Sequence, residues 1–348
     1  RNGLDAATLG CPFIVADGYN GTDDVRVELP EGVILREAYV AKAIALADVL
    51  IALTHFKGHP LGVIGGSVKN LGIGAQSRRG KANVHMSRHP RYGWKQAIDY
   101  HPEKCVGKAG CDNWQRCQDT CPYGLIKVRE HGLQYNPDEC RDCMLCPGIR
   151  QACGVMTRNV ARWRESLTAQ NAAMGDGALA VVKLVGRERV GFINMAIDVS
   201  PGCDCVPYSD ASIVPNLGVL ASRDPVAVDR ACLDLAIEAA GNEESRAGEK
   251  GMTEPGMKKF ENVCSLMDGV SEETQIKAAV VNGLGTTEYL LIEVDPPSDG
   301  SVLLLREDPR VTGLRIREIF RREDPLLVDG LDGRAFDRLE QVDLSRFM

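Results

Sequence analysis

Eight of the thirteen cysteines in this chain fall between Cys105 and Cys153, and that crowding limits what the segment can become. An apolar core needs hydrophobic runs, and from Pro90 to Asn159 those runs give way to cysteine, proline and charge. Disulfides explain the crowding poorly. Thirteen is an odd number, and disulfide scaffolds belong to chains much shorter than 348 residues, which lack material for a core. This chain is 44% hydrophobic and 26% charged, the composition of a globular protein that buries one. Metal sites draw their ligands from a short stretch. The clustered cysteines are therefore expected to hold metal.

Their spacing narrows the metal. The first group is Cys105-x5-Cys111-x5-Cys117-x3-Cys121-Pro122, and the second is Cys140-x2-Cys143-x2-Cys146-x6-Cys153-Gly154. Bacterial two-cluster ferredoxins use C-x2-C-x2-C-x3-C-P, with the fourth cysteine of each run serving the other cluster. The x2, x2 spacing lets one loop supply three corners of a four-iron cube, and a proline after the fourth cysteine turns the chain away. Both groups here have longer gaps, which lengthen loops without removing a ligand. The run Cys121-Pro122-Tyr123-Gly124-Leu125-Ile126 resembles the ferredoxin sequence after the fourth cysteine. By that resemblance, Cys105, Cys111, Cys117 and Cys153 hold one [4Fe-4S] cluster, and Cys140, Cys143, Cys146 and Cys121 hold a second. Structural zinc is the alternative, since four-cysteine zinc sites also use C-x2-C spacing.

Around this segment the chain alternates apolar strands and helices. Pro12 to Ala16 is a short apolar run, Val25 to Leu29 alternates like a half-exposed strand, and Ala38 to Leu46 has helical spacing. Val49 to Leu53 predicts a buried strand, and apolar structure returns at Ala178 to Leu184 and at Val190 to Ile197. Asp224-Pro225 is a helix start, with Asp as N-cap; Val226, Val228, Ala231, Cys232, Leu235 and Ala236 should face inward. Another helix is expected from Ser271 to a glycine stop at Gly283-Leu284-Gly285, and a strand from Tyr289 to Val294. The expected class is α/β: a mostly parallel, Rossmann-like sheet domain formed by residues 1–97 and 158–295. A bacterial ferredoxin-like two-cluster module at 98–157 interrupts it, and a charged C-terminal extension follows at 296–348.

The stretch after the 49–53 strand is rich in histidine and glycine. It contains His55, Lys57, His59, Gly65, Gly66, Lys69, Gly72, Gly74, Lys81 and His85. α/β proteins place ligand sites at the carboxyl ends of strands, and closely spaced glycines let backbone N–H groups approach an anion. His55, His59, Lys69 and His85 are the candidate catalytic groups, and Gly65, Gly66, Lys69, Gly72, Gly74 and Lys81 the candidate cofactor-binding ones. Cys203-Asp204-Cys205 follows the strand 190–197 in the same manner; it could ligate metal, shuttle electrons as a dithiol, or brace a loop. Cys232 and Cys264 sit in apolar patterns and are expected in the core.

The net charge of -7 argues against a nucleic-acid binder, which needs a positive field. No apolar run is long enough to span a bilayer. The chain opens at Arg1, and what is present shows no signal-peptide or lipidation pattern. A cytoplasmic, oxygen-poor setting is the expectation.

The run from His55 to His59, through Gly66, Lys69-Asn70-Leu71-Gly72 and Gly80-Lys81, resembles the domain-of-unknown-function 362 family. So do Cys203-Asp204-Cys205, Gly218-Val219-Leu220 and Asp224-Pro225-Val226-Ala227-Val228-Asp229. The resemblance covers roughly 10–295, and many members of that family carry a two-cluster insertion. A fainter resemblance, in His59, Gly65-Gly66, Lys69 and His85, is to the N-terminal domain of nickel-pincer lactate-racemase-like enzymes. There the matching lysine holds the cofactor and the matching histidine contacts nickel. Asn70-Leu71-Gly72 departs from their continuation, which weighs against nickel here.

These features together predict an iron–sulfur oxidoreductase or electron-transfer protein. Two [4Fe-4S] clusters would relay single electrons from a ferredoxin or a larger redox complex to a His/Lys/Gly-lined site. That site would hold an anionic small molecule, a flavin or another phosphate-bearing cofactor. Nicotinamide lacks support, because no Gly-x-Gly-x-x-Gly follows a strand. The alternatives are a non-catalytic electron-transfer subunit of an anaerobic complex, and a cofactor-binding isomerase or lyase with structural clusters. Substrate and oligomeric state are not encoded in any pattern found.

Overall fold

A computed structural model of the chain describes residues 6–87, 98–121, 124–139, 146, 153–205, 210–294 and 315–317. β1 (Asp24–Glu28) pairs antiparallel with β2 (Glu37–Ala41). The helix expected over 38–46 is therefore strand in its first half. Ala38 and Val40 are buried and alternate with half-exposed Glu37 and Tyr39, a period of two rather than 3.6. The Arg79 guanidinium lies 4.0 Å over the Tyr39 ring on the outer face. Only Lys42–Ala45 makes a helical turn. β3 (Leu50–His55) follows, then a tight hairpin of β4 (Lys57–His59) and β5 (Val63–Gly65). Ser67–Lys69 turns helically into a π-helical turn at Asn70–Gly74, and α1 (Arg78–His85) begins on the Ser77 cap.

Residues 98–158 contain β6 (Ile98–Tyr100), α2 (Trp114–Asp119), β7 (Ile126–Val128), β8 (Leu133–Tyr135) and β9 (Met156–Arg158). β7 and β8 form a hairpin, and β9 returns antiparallel to β6, so the segment leaves and re-enters the chain at adjacent points. Ile98, Cys117, Ile126, Val128, Leu133, Cys146, Val155 and Met156 form an apolar cluster of their own, separate from the main core.

α3 (Val160–Val185) is a 26-residue helix, about 39 Å long at 1.5 Å per residue. The Asn159 side chain caps it by accepting from the Arg162 N–H at 3.0 Å. Every residue from Leu167 to Val182 is buried, as a helix at the centre of a fold must be. Gly72 and Gly177 let the π-helical turn meet α3 backbone to backbone: a Cβ on Gly72 would overlap the Met174 carbonyl. Asp176, fully buried on α3, accepts from the N–H groups of Val33, Ile34 and Leu35 and from the Asn282 amide, at 2.7–2.9 Å.

β10 (Val190–Ala196) lies between β3 and β11 (Gly218–Ser222), parallel to the first and antiparallel to the second. α4 (Pro225–Glu238) packs beneath β10 and β11 and starts at Asp224, whose carboxylate accepts from Val226 and Ala227 at 2.8 and 3.1 Å. α5 (Thr274–Val281) packs on α3, and β12 (Leu291–Glu293) pairs with β13 (Arg315–Arg317). The mixed α/β class holds. Among the described residues, however, the mostly parallel sheet expected from sequence is replaced by several small sheets with one parallel pairing, β3 with β10. β3 is also less buried than expected: Ala52 and Thr54 face the core, while Ile51 and Leu53 are exposed.

Candidate functional site

The parallel pairing sets the carboxyl end of β3 beside that of β10. Whatever follows one strand therefore meets whatever follows the other. The histidine–glycine stretch follows β3, and the Asp198–Cys205 loop follows β10. His55 closes the junction: its Nδ1 lies 2.9 Å from Asp204 Oδ2, and its Nε2 lies 2.9 Å from the Ile197 carbonyl. With oxygens on both ring nitrogens, His55 is a brace and presents no free lone pair. Lys57 Nζ donates to the His55 carbonyl at 2.9 Å and pairs with Asp204 at 3.2 Å. Gly58 is needed here, because a Cβ would overlap Cys264 Sγ and stand 2.6 Å from the Pro201 carbonyl.

His59, 7% exposed, accepts at Nδ1 from the N–H groups of Leu61 at 3.1 Å and Gly62 at 2.8 Å. That lone pair is occupied, so the ring's proton sits on Nε2. Burial, reinforced by Lys69, Lys57 and His85, pushes the His59 pKa down to about 3. The ring is thus a neutral N–H donor across the physiological range. The hairpin around it is strained: Val63 takes φ 63°, a left-handed conformation that costs a β-branched residue about 1–3 kcal/mol. Buried amides hold it there. Gln275 Nε2 donates to the carbonyls of Gly62 and Ile64, and Asn171 Nδ2 donates to Leu61 at 2.8 Å.

Lys69 follows from the next turn, and an underlying carboxylate fixes that turn. Asp229, fully buried on α4, accepts from the N–H groups of Ser67 at 2.7 Å and Val68 at 2.9 Å and from Asn194 Nδ2 at 2.7 Å. Any side chain on Gly66 would fall inside that carboxylate. Burial pushes the Asp229 pKa up to about 6. Among the described residues, Lys69 has no hydrogen bond or ion pair. Burial and Lys57 lower its pKa, while Cys203, Cys205 and Asp204 act in the opposite sense. His85 closes the far side, with Nδ1 3.1 Å from the Gln170 amide. Burial of the ring, together with Lys69, lowers its pKa, against the Gln170 hydrogen bond.

The structure thus gathers His59, Lys69, His85, Cys203 and Cys205 into one cluster, with His55 beside it as a brace. Gly66 serves the turn beneath, and Gly65 ends the hairpin strand. Gly72 is engaged in packing against α3, Gly74 lies against Asn70, and Lys81 points to Asp17 at 3.8 Å. Sequence reasoning assigned no role to Asp229, Asn194, Asn171 or Gln275. They are scattered along the chain and carry no local spacing; only their burial as polar side chains reveals them.

A ring nitrogen of His59 and the sulfurs of Cys203 and Cys205 lie within 4.8 Å of one another, and no other three His, Cys, Asp or Glu side chains do so among the described residues. Between residues 98 and 158, Cys117 and Cys146 are buried, Cys105, Cys111 and Cys121 half-buried, and Cys153 exposed. The Leu125 N–H lies 3.4 Å from Cys121 Sγ. Cys140 and Cys143 lie outside the described residues. No three of the sulfurs of Cys105, Cys111, Cys117 and Cys153 lie within 4.8 Å of one another. Among the described residues, no helix is long and apolar enough to cross a membrane.

The family model described as Domain of unknown function (DUF362) matches residues 1–234, and the chain belongs to that family. No curated protein and no solved structure matches the chain.

Proposed function

We propose that this DUF362 member is an iron–sulfur redox protein that passes electrons one at a time to the recess built by His59, Lys69, His85, Cys203 and Cys205. The observation that carries the proposal is that convergence: a buried N–H donor, a desolvated amine and two thiols meet at one point, in a chain that devotes eight further cysteines to one short segment. Cys105, Cys111, Cys117 and Cys153 would hold one cluster, and Cys121, Cys140, Cys143 and Cys146 the other. Such clusters supply one-electron transfer at low potential. The insertion would then comprise residues 98–157, and Asp99 ties it to the start of α3 through Arg162 at 3.6 Å and Asn159 at 3.1 Å. Gln170 contacts His85 eleven residues further along α3, about 16 Å by helical rise.

The recess suits an anionic small molecule. Lys69 and the Nε2–H of His59 offer charge and a donor, and His85 stands ready to move a proton. A ferredoxin or larger complex would supply the electrons, in an oxygen-poor compartment where such clusters survive. The test is anaerobic purification, with iron, acid-labile sulfide, zinc and nickel measured per chain and electron paramagnetic resonance after dithionite reduction. About eight irons and eight sulfides with a reduced-cluster signal are expected. Zinc without sulfide would overturn the proposal, and stoichiometric nickel would move the chemistry to the racemase-like alternative.

A further inference from the structure

We propose that Cys203 and Cys205 are a redox dithiol that closes to a disulfide and reopens, so that the recess exchanges electrons in pairs. The inference depends on the reading of residues 98–157 as a cluster module only for the source of those electrons. Two residues apart, the cysteines can be separated by at most about 7 Å, and the turn at Asp204 and Cys205 shortens this toward the disulfide range. The sulfurs lie within 4.8 Å, and the Cys205 N–H points to Cys203 Sγ at 3.4 Å. Asp204, between them, is held by His55 and Lys57, so the loop's middle is fixed while its two thiols flank the recess.

Exposure separates this pair from the structural thiols. Cys232 and Cys264 are sealed in the core, where burial pushes both thiols far up and keeps them inert. Cys203 is 9% exposed and Cys205 is open to solvent; burial and the neighbouring Cys203 raise the Cys205 thiol, and Lys69 acts on it in the opposite sense. One sulfur is protected and the other reachable, the arrangement a cycling dithiol needs. A mononuclear ion at the same place fares worse. It would compete with two backbone N–H groups for the Nδ1 lone pair of His59 or displace the proton on Nε2, and it would lie in the field of Lys57 and Lys69.

Closing the pair breaks two S–H bonds, forms one S–S bond, and releases two electrons and two protons. Solvent takes the protons. Oxidised glutathione accepts the electrons as a pair in the test below, and in the protein two one-electron iron–sulfur carriers would return them singly when the disulfide reopens and takes up two protons. Two such carriers match the two-electron couple in capacity, which gives the recess a way to turn single electrons into a pair.

The experiment is a redox titration of the full chain in glutathione buffers, quenched with N-ethylmaleimide and followed by mass spectrometry of the peptide holding both cysteines. Two species are expected: one doubly alkylated, and one unalkylated and about 2 Da lighter than the dithiol, their ratio changing tenfold per 30 mV. Cys203→Ser and Cys205→Ser should each leave one permanently alkylated thiol and unchanged iron per chain. Independent alkylation of the two sulfurs at every potential would overturn the proposal, as would a zinc or nickel ion shielding both until chelated. A chain without iron that still shows the couple would refute the cluster reading and leave the dithiol standing.

Discussion

Asp229→Ala should destabilise the protein by about 3 kcal/mol at pH 8 and by about 4 kcal/mol at pH 5. The carboxylate serves three buried donors, the N–H groups of Ser67 and Val68 and the Asn194 amide. Each donor left without an acceptor costs about 1–3 kcal/mol, so the three together cost roughly 3–9 kcal/mol. Removing the carboxylate also removes the expense of burying an ion. Its pKa rises from 3.8 to about 6, which at 1.36 kcal/mol per unit is about 3 kcal/mol. The orphaned donors win. Because the folded pKa is raised, the native protein binds this proton before the unfolded chain does. Wild-type stability therefore gains up to about 1.4 kcal/mol per unit as pH falls through 6, until the unfolded carboxyl protonates near 3.8. The alanine variant lacks that gain, so the gap widens by about one such step at pH 5. Urea unfolding of both proteins, followed by circular dichroism at the two pH values, measures it, and other titrating groups cancel in the difference. An equal loss at both pH values would refute the raised ionisation. No loss at either would refute the assignment of Asp229 as the acceptor that holds the turn.

His59 should produce the opposite slope. Its folded pKa of about 3 lies below the ordinary 6.5, so stability is lost as pH falls below 6.5, again at up to about 1.4 kcal/mol per unit. His59→Asn, whose side-chain oxygen can take over the Leu61 and Gly62 N–H groups, should melt within about 1 kcal/mol of wild type at pH 8 and lose that acid slope. His59→Ala should cost roughly 2 kcal/mol more at pH 8. Equal melting of the two variants would show that Nδ1 is not the hairpin's acceptor. Gly58→Ala should lower stability by about 1–3 kcal/mol through overpacking against Cys264 and Pro201. Gly65→Ala is the control, since its Cβ would meet nothing nearer than the Lys57 carbonyl at 3.6 Å, and thermal melts that fail to separate the two would refute the close approach.

The elements legible from sequence were those with a local signature. Asp224-Pro225 announced α4, and Cys232 took its place on the buried face of that helix. The strands expected around 25–29, 49–53 and 190–197 declare themselves by apolar patterning. The Ala38–Leu46 stretch misled, because alanines satisfy a helical stripe while Ala38 and Val40 also alternate as a strand. α3 was seen only as a fragment at 178–184. A helix buried on every side has no polar face to set its period, and Asn171 and Asp176 broke the apolar run that would have marked it. In the site, the histidines and the Cys-x-Cys pair were visible as residue types, but their meeting depends on the β3–β10 pairing. The split of roles among the histidines was beyond reach. Whether a ring braces, donates or stands free is decided by partners such as Asp204 and the Gly62 N–H, which sequence does not place beside it.

The bond between His55 and Asp204 spans 149 residues, and this has a consequence during synthesis. At about 5–20 residues per second, roughly 7–30 s separate the translation of β3 from that of the loop that completes its end. The Asp229 carboxylate that fixes the Gly66–Ser67 turn arrives later still. All eight cysteines from Cys105 to Cys153 are translated within that interval, and β6 and β9 can pair before β10 exists. The nascent chain therefore presents these thiols while the surrounding frame is still open, so under the proposed cluster reading the order of emergence lets metal loading precede closure of the fold.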